Sequence, residues 1–69
     1  MKISARNQFR GTIKAIEVGA VNSEIIVELP GGQQIVSVIT KASAKNLGLA
    51  VGKQVHAIVK ASDVMIAVE

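Results

Sequence analysis

Apolar and polar residues alternate along the first part of the chain. From Gln8 to Val18, Phe9, Gly11, Ile13 and Ala15 fall on one face, with Arg10, Thr12, Lys14 and Ile16 on the other, which is the period of a β-strand. Gly19-Ala20 ends this run. A second run, Asn22 to Leu29, is followed by the turn signal Pro30-Gly31-Gly32. The third run is Gln33 to Thr40, so the second and third read as a β-hairpin. The pattern then changes. Thr40-Lys41-Ala42-Ser43-Ala44-Lys45-Asn46-Leu47-Gly48 reads as a short helix: Thr40 or Ser43 can accept the unpaired N–H groups at its start, and Gly48 suits a left-handed stop. A fourth strand follows from Lys53 to Val59, then a tight turn at Lys60-Ala61-Ser62-Asp63, then a fifth strand from Val64 to Val68. Three strands, a helix and two strands predict an all-β, five-stranded OB-fold-like barrel with one short helix between strands 3 and 4. No repeat, linker or low-complexity tract interrupts the chain, so residues 1–69 read as a single domain.

Several strands are apolar on both faces. Ile25-Ile26-Val27, Ile35-Val36, Ile58-Val59 and Val64-Met65-Ile66-Ala67-Val68 leave no polar side for water. With nine Ile, ten Val, 49% hydrophobic residues and a mean hydropathy of +0.43, this is a general property of the chain. A core of this size supplies only about 3–5 kcal/mol, and small chains usually add a staple. Cysteine is absent and histidine occurs once, which removes disulfides and leaves little for structural zinc. Self-association remains, with the second apolar face covered by other subunits. No run has the 18 or more apolar residues of a membrane helix, and Met1 to Asn7 lacks the apolar core of a signal peptide. The expected location is cytoplasmic, with no membrane partner.

The chemistry the residues can support is narrow. The only histidine, His56, lies inside a strand and reads as an exposed or interface residue, and Glu17, Glu24 and Glu28 show no acid–base spacing. Neither a GxxxxGK[ST] loop nor a GxGxxG follows a strand. Catalysis is therefore not expected. The net charge of +3 is compatible with an anionic partner or with ordinary solubility. A tetrahedral oxyanion has only acceptor oxygens, so it needs convergent donors, a compensating cation and no nearby carboxylate. Ser4-Ala5-Arg6-Asn7 offers a hydroxyl, a guanidinium and an amide, while Lys60-Ala61-Ser62 offers an ammonium, a hydroxyl and turn N–H groups. Thr40 adds a hydroxyl at the predicted helix start. On spacing alone, each has a plainer alternative: a frayed terminus for Ser4 and Arg6, a solvated turn for Lys60 to Ser62, and a helix cap for Thr40.

A series of short motifs decides between these readings. Ser4-Ala5-Arg6-Asn7-Gln8-Phe9 with Gly11 resembles the opening of the Mop, or molbindin, family of molybdate-binding domains. Gly19-Ala20-Val21-Asn22-Ser23-Glu24, Ile39-Thr40, Leu47-Gly48-Leu49 with Gly52, and Lys60-Ala61-Ser62 before Val64 follow in the family's order and at similar spacing. The resemblance runs from Ser4 to about Ala67. It implies an OB-like fold, a homohexamer built as three dimers, and molybdate or tungstate held at subunit interfaces. Ser4 and Arg6, with Thr40, Lys60, Ala61 and Ser62, are the positions similar to the family's dimer-interface site. A second kind of site near a symmetry axis would draw on Asn7 and the Gly19-Ala20-Val21 turn. No cofactor and no directly ligated metal is expected, since the molybdenum comes as an oxyanion. A pterin would want rings to stack on, and Phe9 is the only one. A free-standing copy implies storage or buffering of the anion.

Two other classes compete. A nucleic-acid-binding OB module needs aromatic platforms for bases, and one aromatic residue in 69 does not supply them. A purely structural assembly module predicts the same oligomer with no ligand.

Overall fold

β1 (Asn7–Val18) is long enough to serve two neighbours. Asn7 to Thr12 pair antiparallel with β4 (Gln54–Val59), and Thr12 to Val18 pair antiparallel with β2 (Asn22–Glu28). β3 (Gln34–Thr40) adds to the outer edge of β2, so the sheet order is β3-β2-β1-β4. This is a computed structural model describing all 69 residues, Met1–Glu69. Where β1 passes from one neighbour to the other, the sheet curls tightly. Gly11 sits at that point: a Cβ there would lie 2.6 Å from Val27 Cγ1 and 2.7 Å from the Glu28 carbonyl oxygen. Only glycine allows so close an approach between strands.

The regular alternation predicted for β1 breaks in the middle. Ile13 pairs with Val27 but the next pair is Ala15 with Ile26, a β-bulge at Lys14. The extra residue reverses the faces beyond it. Gly11 and Ile13 point inward as expected, whereas Ala15 is exposed and Ile16 turns in to pack on the core. The core itself is small: Ile13, Ile25 and Val27 are buried, with Ile16, Leu29, Ile39, Leu49 and Val55 packed around them.

The helix, α1 (Lys41–Asn46), forms where the sequence predicts it and is closed at both ends by local chemistry. The Thr40 hydroxyl accepts the Ser43 N–H at 3.0 Å. At the other end, Gly48 adopts φ +63, its N–H donates to the Lys45 carbonyl, and the Leu49 N–H donates to the Ala44 carbonyl. That pair of bonds is a Schellman stop. Lys53 Nζ then donates to the carbonyls of Leu47 at 2.9 Å and Gly48 at 3.2 Å, so a cation stands at the helix C-terminus.

The predicted fifth strand is not a strand in this chain. After β4, Ala61–Asp63 form a single 3₁₀ turn, and Val64 to Val68 run on unpaired. Met65, Ile66 and Val68 are 92%, 86% and 92% exposed. The apolar pattern of the segment is that of a strand, but a strand exists only against a partner edge. The 3₁₀ turn carries the segment away from the sheet, and no edge of its own chain receives it. The sheet is consequently a half-barrel with an open side. A groove of ≈ 290 Å³ lies there, lined by apolar residues that include Ile35 and Ile39 of β3, Val55 and Val59 of β4, and Leu49.

The surface of the chain reflects that opening. A compact 7.2 kDa monomer exposes about 4,100 Å², and this chain exposes 5541 Å², roughly a third more. Its radius of gyration is 12.7 Å, against about 11 Å for a compact chain of this length.

Candidate oxyanion site

The β1–β4 ladder decides which candidate residues meet. Its terminal pair is Asn7 opposite Val59, so Arg6 and Lys60 flank that pair on neighbouring stretches at the same end of the sheet. Ser4 and Ala5 precede Arg6, and Ala61 and Ser62 follow Lys60. Ser4, Arg6, Lys60 and Ser62 are exposed, while Ala5 and Asn7 are half-buried. Gln8 holds the approach to β1 in position, its Nε2 donating to the Ala5 carbonyl at 2.6 Å. Gln8 is not among the residues whose chemistry marks them as candidates; only its three-residue spacing from Ala5 hints at this role.

Electrostatics make this end distinctive. The one ion pair in the chain is Lys14–Glu28, 3.2 Å apart, so neither Arg6 nor Lys60 has a carboxylate partner. Two cations at adjacent positions across strands repel, and a dianion bound between them would offset both charges. Asp63 is the one acid close by in the chain; its N–H is used within the turn, donating to the Lys60 carbonyl at 2.9 Å. The Val64 N–H donates to Ala61 at 3.3 Å. The first N–H groups of such a turn, those of Ala61 and Ser62, have no partner inside it. Glu17 and Glu24 face each other at the opposite end of β1, well away from the cations.

Thr40 and Ala20 lie at that opposite end. Thr40 pairs with Asn22 at the end of the β2–β3 ladder, and Ala20 occupies the turn between β1 and β2, which is closed by the Gly19 N–H donating to Asn22 at 2.8 Å. The Thr40 hydroxyl is already engaged, accepting from the Ser43 N–H and donating to Ser43 Oγ at 2.8 Å. Within one chain, then, Ser4, Arg6, Asn7, Lys60, Ala61 and Ser62 lie on the two stretches at one end of the β1–β4 ladder, and Thr40 and Ala20 lie at the other end of the sheet.

The remaining polar groups point to no reaction centre. His56 is exposed on β4 opposite Arg10, and Arg10 Nη2 donates instead to Gln54 Oε1 at 2.6 Å. No cluster of three or more His, Asp or Glu residues stands ready to hold a metal ion. Ser23 is the one buried polar residue, in line with Ile25 and Val27 on the inner face of β2, and its Oγ has no hydrogen-bond partner. No helix is long and apolar enough to cross a membrane.

A small, curled, OB-like β-sheet with an uncompensated cationic end is the class of module these features define. The TOBE domain matches residues 3–66, and the chain belongs to that family. It is 46% identical over 69 residues to a probable molybdenum-pterin-binding protein of Haemophilus influenzae, each chain covered in full. It is 52% identical over 69 residues to the molybdenum transport protein ModE of Azotobacter vinelandii, of which it spans 26%. Among solved structures, MopII from Clostridium pasteurianum superposes with a TM-score of 0.93 at 40% identity, covering 97% of this chain and all of MopII. The cytoplasmic molybdate-binding protein ModG, with molybdate bound, superposes with a TM-score of 0.84 at 54% identity over 88% of this chain and 43% of ModG. The half-barrel with one short helix is thus a Mop-type, OB-like fold, with four strands formed within the chain.

Proposed function

We propose that this protein binds molybdate or tungstate at interfaces between copies of itself and stores the anion in the cytoplasm, without transforming it. The observation that carries this reading is the pairing of Asn7 with Val59, which draws Arg6 and Lys60 together with no carboxylate to neutralise them. Arg6 and Lys60 supply charge; Ser4, Asn7 and Ser62 supply directional donors, and the turn N–H groups of Ala61 and Ser62 complete the set. All of these bond to acceptor oxygens, which suits an anion that carries no proton near neutral pH. Thr40 and Ala20 would enter such a site only from another subunit. The relatives' names include a pterin, but the donor set favours the oxyanion, and Phe9 is the sole ring.

Interfaces are supported by the fold. The open groove between β3 and β4 is lined by apolar residues of both strands, and the exposed Val64–Val68 segment has the apolar pattern of a strand. Exchange of this segment between two copies would close both half-barrels, with each tail taking the position a β4 hairpin partner would occupy. Three such dimers would form the homohexamer. Storage and release is the role this reading gives to the bound anion.

Native mass spectrometry with added molybdate, and with sulfate as control, tests the reading. A hexamer that gains molybdate masses and no sulfate supports it. A hexamer that takes up neither anion leaves the structural-module alternative, which the groove and tail alone would satisfy.

A further inference from the structure

The two stretches that carry the candidate donors are held in different ways. Beyond the Asn7–Val59 pair, the Lys60 stretch is closed by its own turn, with the Asp63 N–H donating to the Lys60 carbonyl at 2.9 Å and the Val64 N–H to the Ala61 carbonyl at 3.3 Å. The Ser4-Ala5-Arg6 stretch has no such turn. None of its backbone groups enters a backbone–backbone hydrogen bond, and Arg6 makes no ion pair. Its one hydrogen bond comes from a side chain, Gln8 Nε2 donating to the Ala5 carbonyl at 2.6 Å. We propose that Gln8 is a positioning residue for the oxyanion: it sets the Ala5–Arg6 peptide, and with it the donors of Ser4 and Arg6, without touching the anion. This rests on the oxyanion reading and adds to that site a residue whose own chemistry does not mark it.

The geometry follows from where Gln8 stands. Its backbone is fixed in the β1–β4 ladder opposite Ile58, so its side chain reaches back from a rigid strand to a stretch that has left the sheet. The Ala5–Arg6 peptide is planar and trans, so its carbonyl and its N–H point in opposite directions. Holding the carbonyl toward Gln8 therefore turns the Arg6 N–H the other way, and that N–H has no acceptor within the chain. A carbonyl that accepts a hydrogen bond also polarises its own peptide group, which makes the N–H on the far side a stronger donor. One bond thus sets both the direction and the strength of a free donor beside the Arg6 guanidinium.

The contribution is to binding and not to the fold. Gln8 is exposed, its bond lies at the surface, and the core of Ile13, Ile25 and Val27 does not include it. Without the bond, Ser4, Ala5 and Arg6 are free to sample many conformations, and an anion must order them as it binds. That ordering opposes affinity, while a stretch held in place beforehand avoids it. The Lys60 stretch, closed by its own turn, is unaffected by the loss.

The test compares the full-length wild type with Gln8→Met, which keeps the length of the side chain and removes its donor. Molybdate affinity is measured by calorimetry, thermal unfolding by circular dichroism, and backbone order by ¹⁵N relaxation. Gln8→Met is expected to bind molybdate about three- to tenfold more weakly, the range that one neutral hydrogen bond covers, with its unfolding midpoint unchanged. Ser4, Ala5 and Arg6 should lose order in the anion-free variant, while Lys60 to Ser62 keep theirs. Gln8→Glu, which replaces the donor with a carboxylate, should lose tenfold or more, and it carries the test if Gln8→Met does not fold. In the wild type, molybdate should shift the Arg6 N–H resonance strongly and the Gln8 side-chain amide little. A loss of less than threefold in Gln8→Met, or unchanged order at Ser4 to Arg6, overturns the positioning role and leaves the oxyanion reading standing. A Gln8 side-chain amide that shifts as far as the Arg6 N–H makes Gln8 a direct ligand and overturns it as well. A wild type that binds no molybdate overturns the oxyanion reading itself.

Discussion

The two halves of β1 face opposite situations with similar residues. From Thr12 onward, β1 pairs with β2 and β2 with β3, and Ile25 and Val27 are each 3% exposed. Before it, β1 pairs with β4, whose inward residues Val55, Ala57 and Val59 are only half-buried beside the open groove. Beyond β4, an equally apolar segment lies in solvent. Hydrophobicity does not separate the two halves; the number of paired edges does. A strand with partners on both edges buries its apolar face within the chain, and one with a free edge waits for a partner.

The comparison is broken most directly by removing the tail. A chain ending at Asp63 should lose assembly, with the dimer dissociation constant rising 1000-fold or more, because each of Val64, Met65, Ile66 and Val68 forfeits roughly 1.5–3 kcal/mol of burial. Circular dichroism should retain the β-sheet signal, since no ladder of the four-stranded sheet includes the deleted residues. Ultracentrifugation over a range of subunit concentrations reads the loss. An assembly that survives the truncation would mean the groove is covered by something other than the tail.

On the paired side, Ile25→Ala should cost about 2–5 kcal/mol, as buried isoleucine truncations do, and denaturant unfolding would measure it. Ile66→Ala sharpens the contrast. It should leave unfolding of the separate subunit unchanged and lower stability only at subunit concentrations high enough for assembly, the mark of a residue buried by assembly. Gly11→Ala tests the curl between the halves. The added methyl would press on Val27 and on the Glu28 carbonyl, and backbone cannot yield as a side chain does. An overpacking cost of about 1–3 kcal/mol is expected in the same unfolding experiment.

How far the sequence could be read follows the same division. Strands β1 to β4, the helix and its two caps were legible because each is set by local chemistry: alternation, Pro30-Gly31-Gly32, Thr40 and Gly48. The bulge at Lys14 was not, since an extra residue leaves no mark in a single strand's pattern and is defined only by the register of its partner. The fifth strand was legible as apolar pattern but not as pairing, because pairing depends on a free edge within reach and no edge of the chain receives it. The candidate site divides likewise. Chemistry singles out Arg6 and Lys60 and the family resemblance groups them with Thr40, whereas the β1–β4 register, a long-range property, sets Arg6 and Lys60 at one end of the sheet and Thr40 at the other.

Thr40 provides the finest cut between the two ends. Its hydroxyl accepts the Ser43 N–H at 3.0 Å and donates to Ser43 Oγ at 2.8 Å, so its bonding is filled by the helix start. Thr40→Ala should therefore cost about 1 kcal/mol of stability, the usual loss for an N-cap. Thr40→Ser restores the cap with a hydroxyl in the same position and should recover most of that loss. The reading at the other end is molybdate affinity, measured by calorimetry on assembled protein. If Thr40 serves only as the cap, affinity changes less than threefold in both variants while Lys60→Gln loses tenfold or more. If Thr40 from one subunit completes the site of another, Thr40→Ala loses affinity along with Lys60→Gln, Thr40→Ser retains it, and the two ends of the sheet meet across the interface.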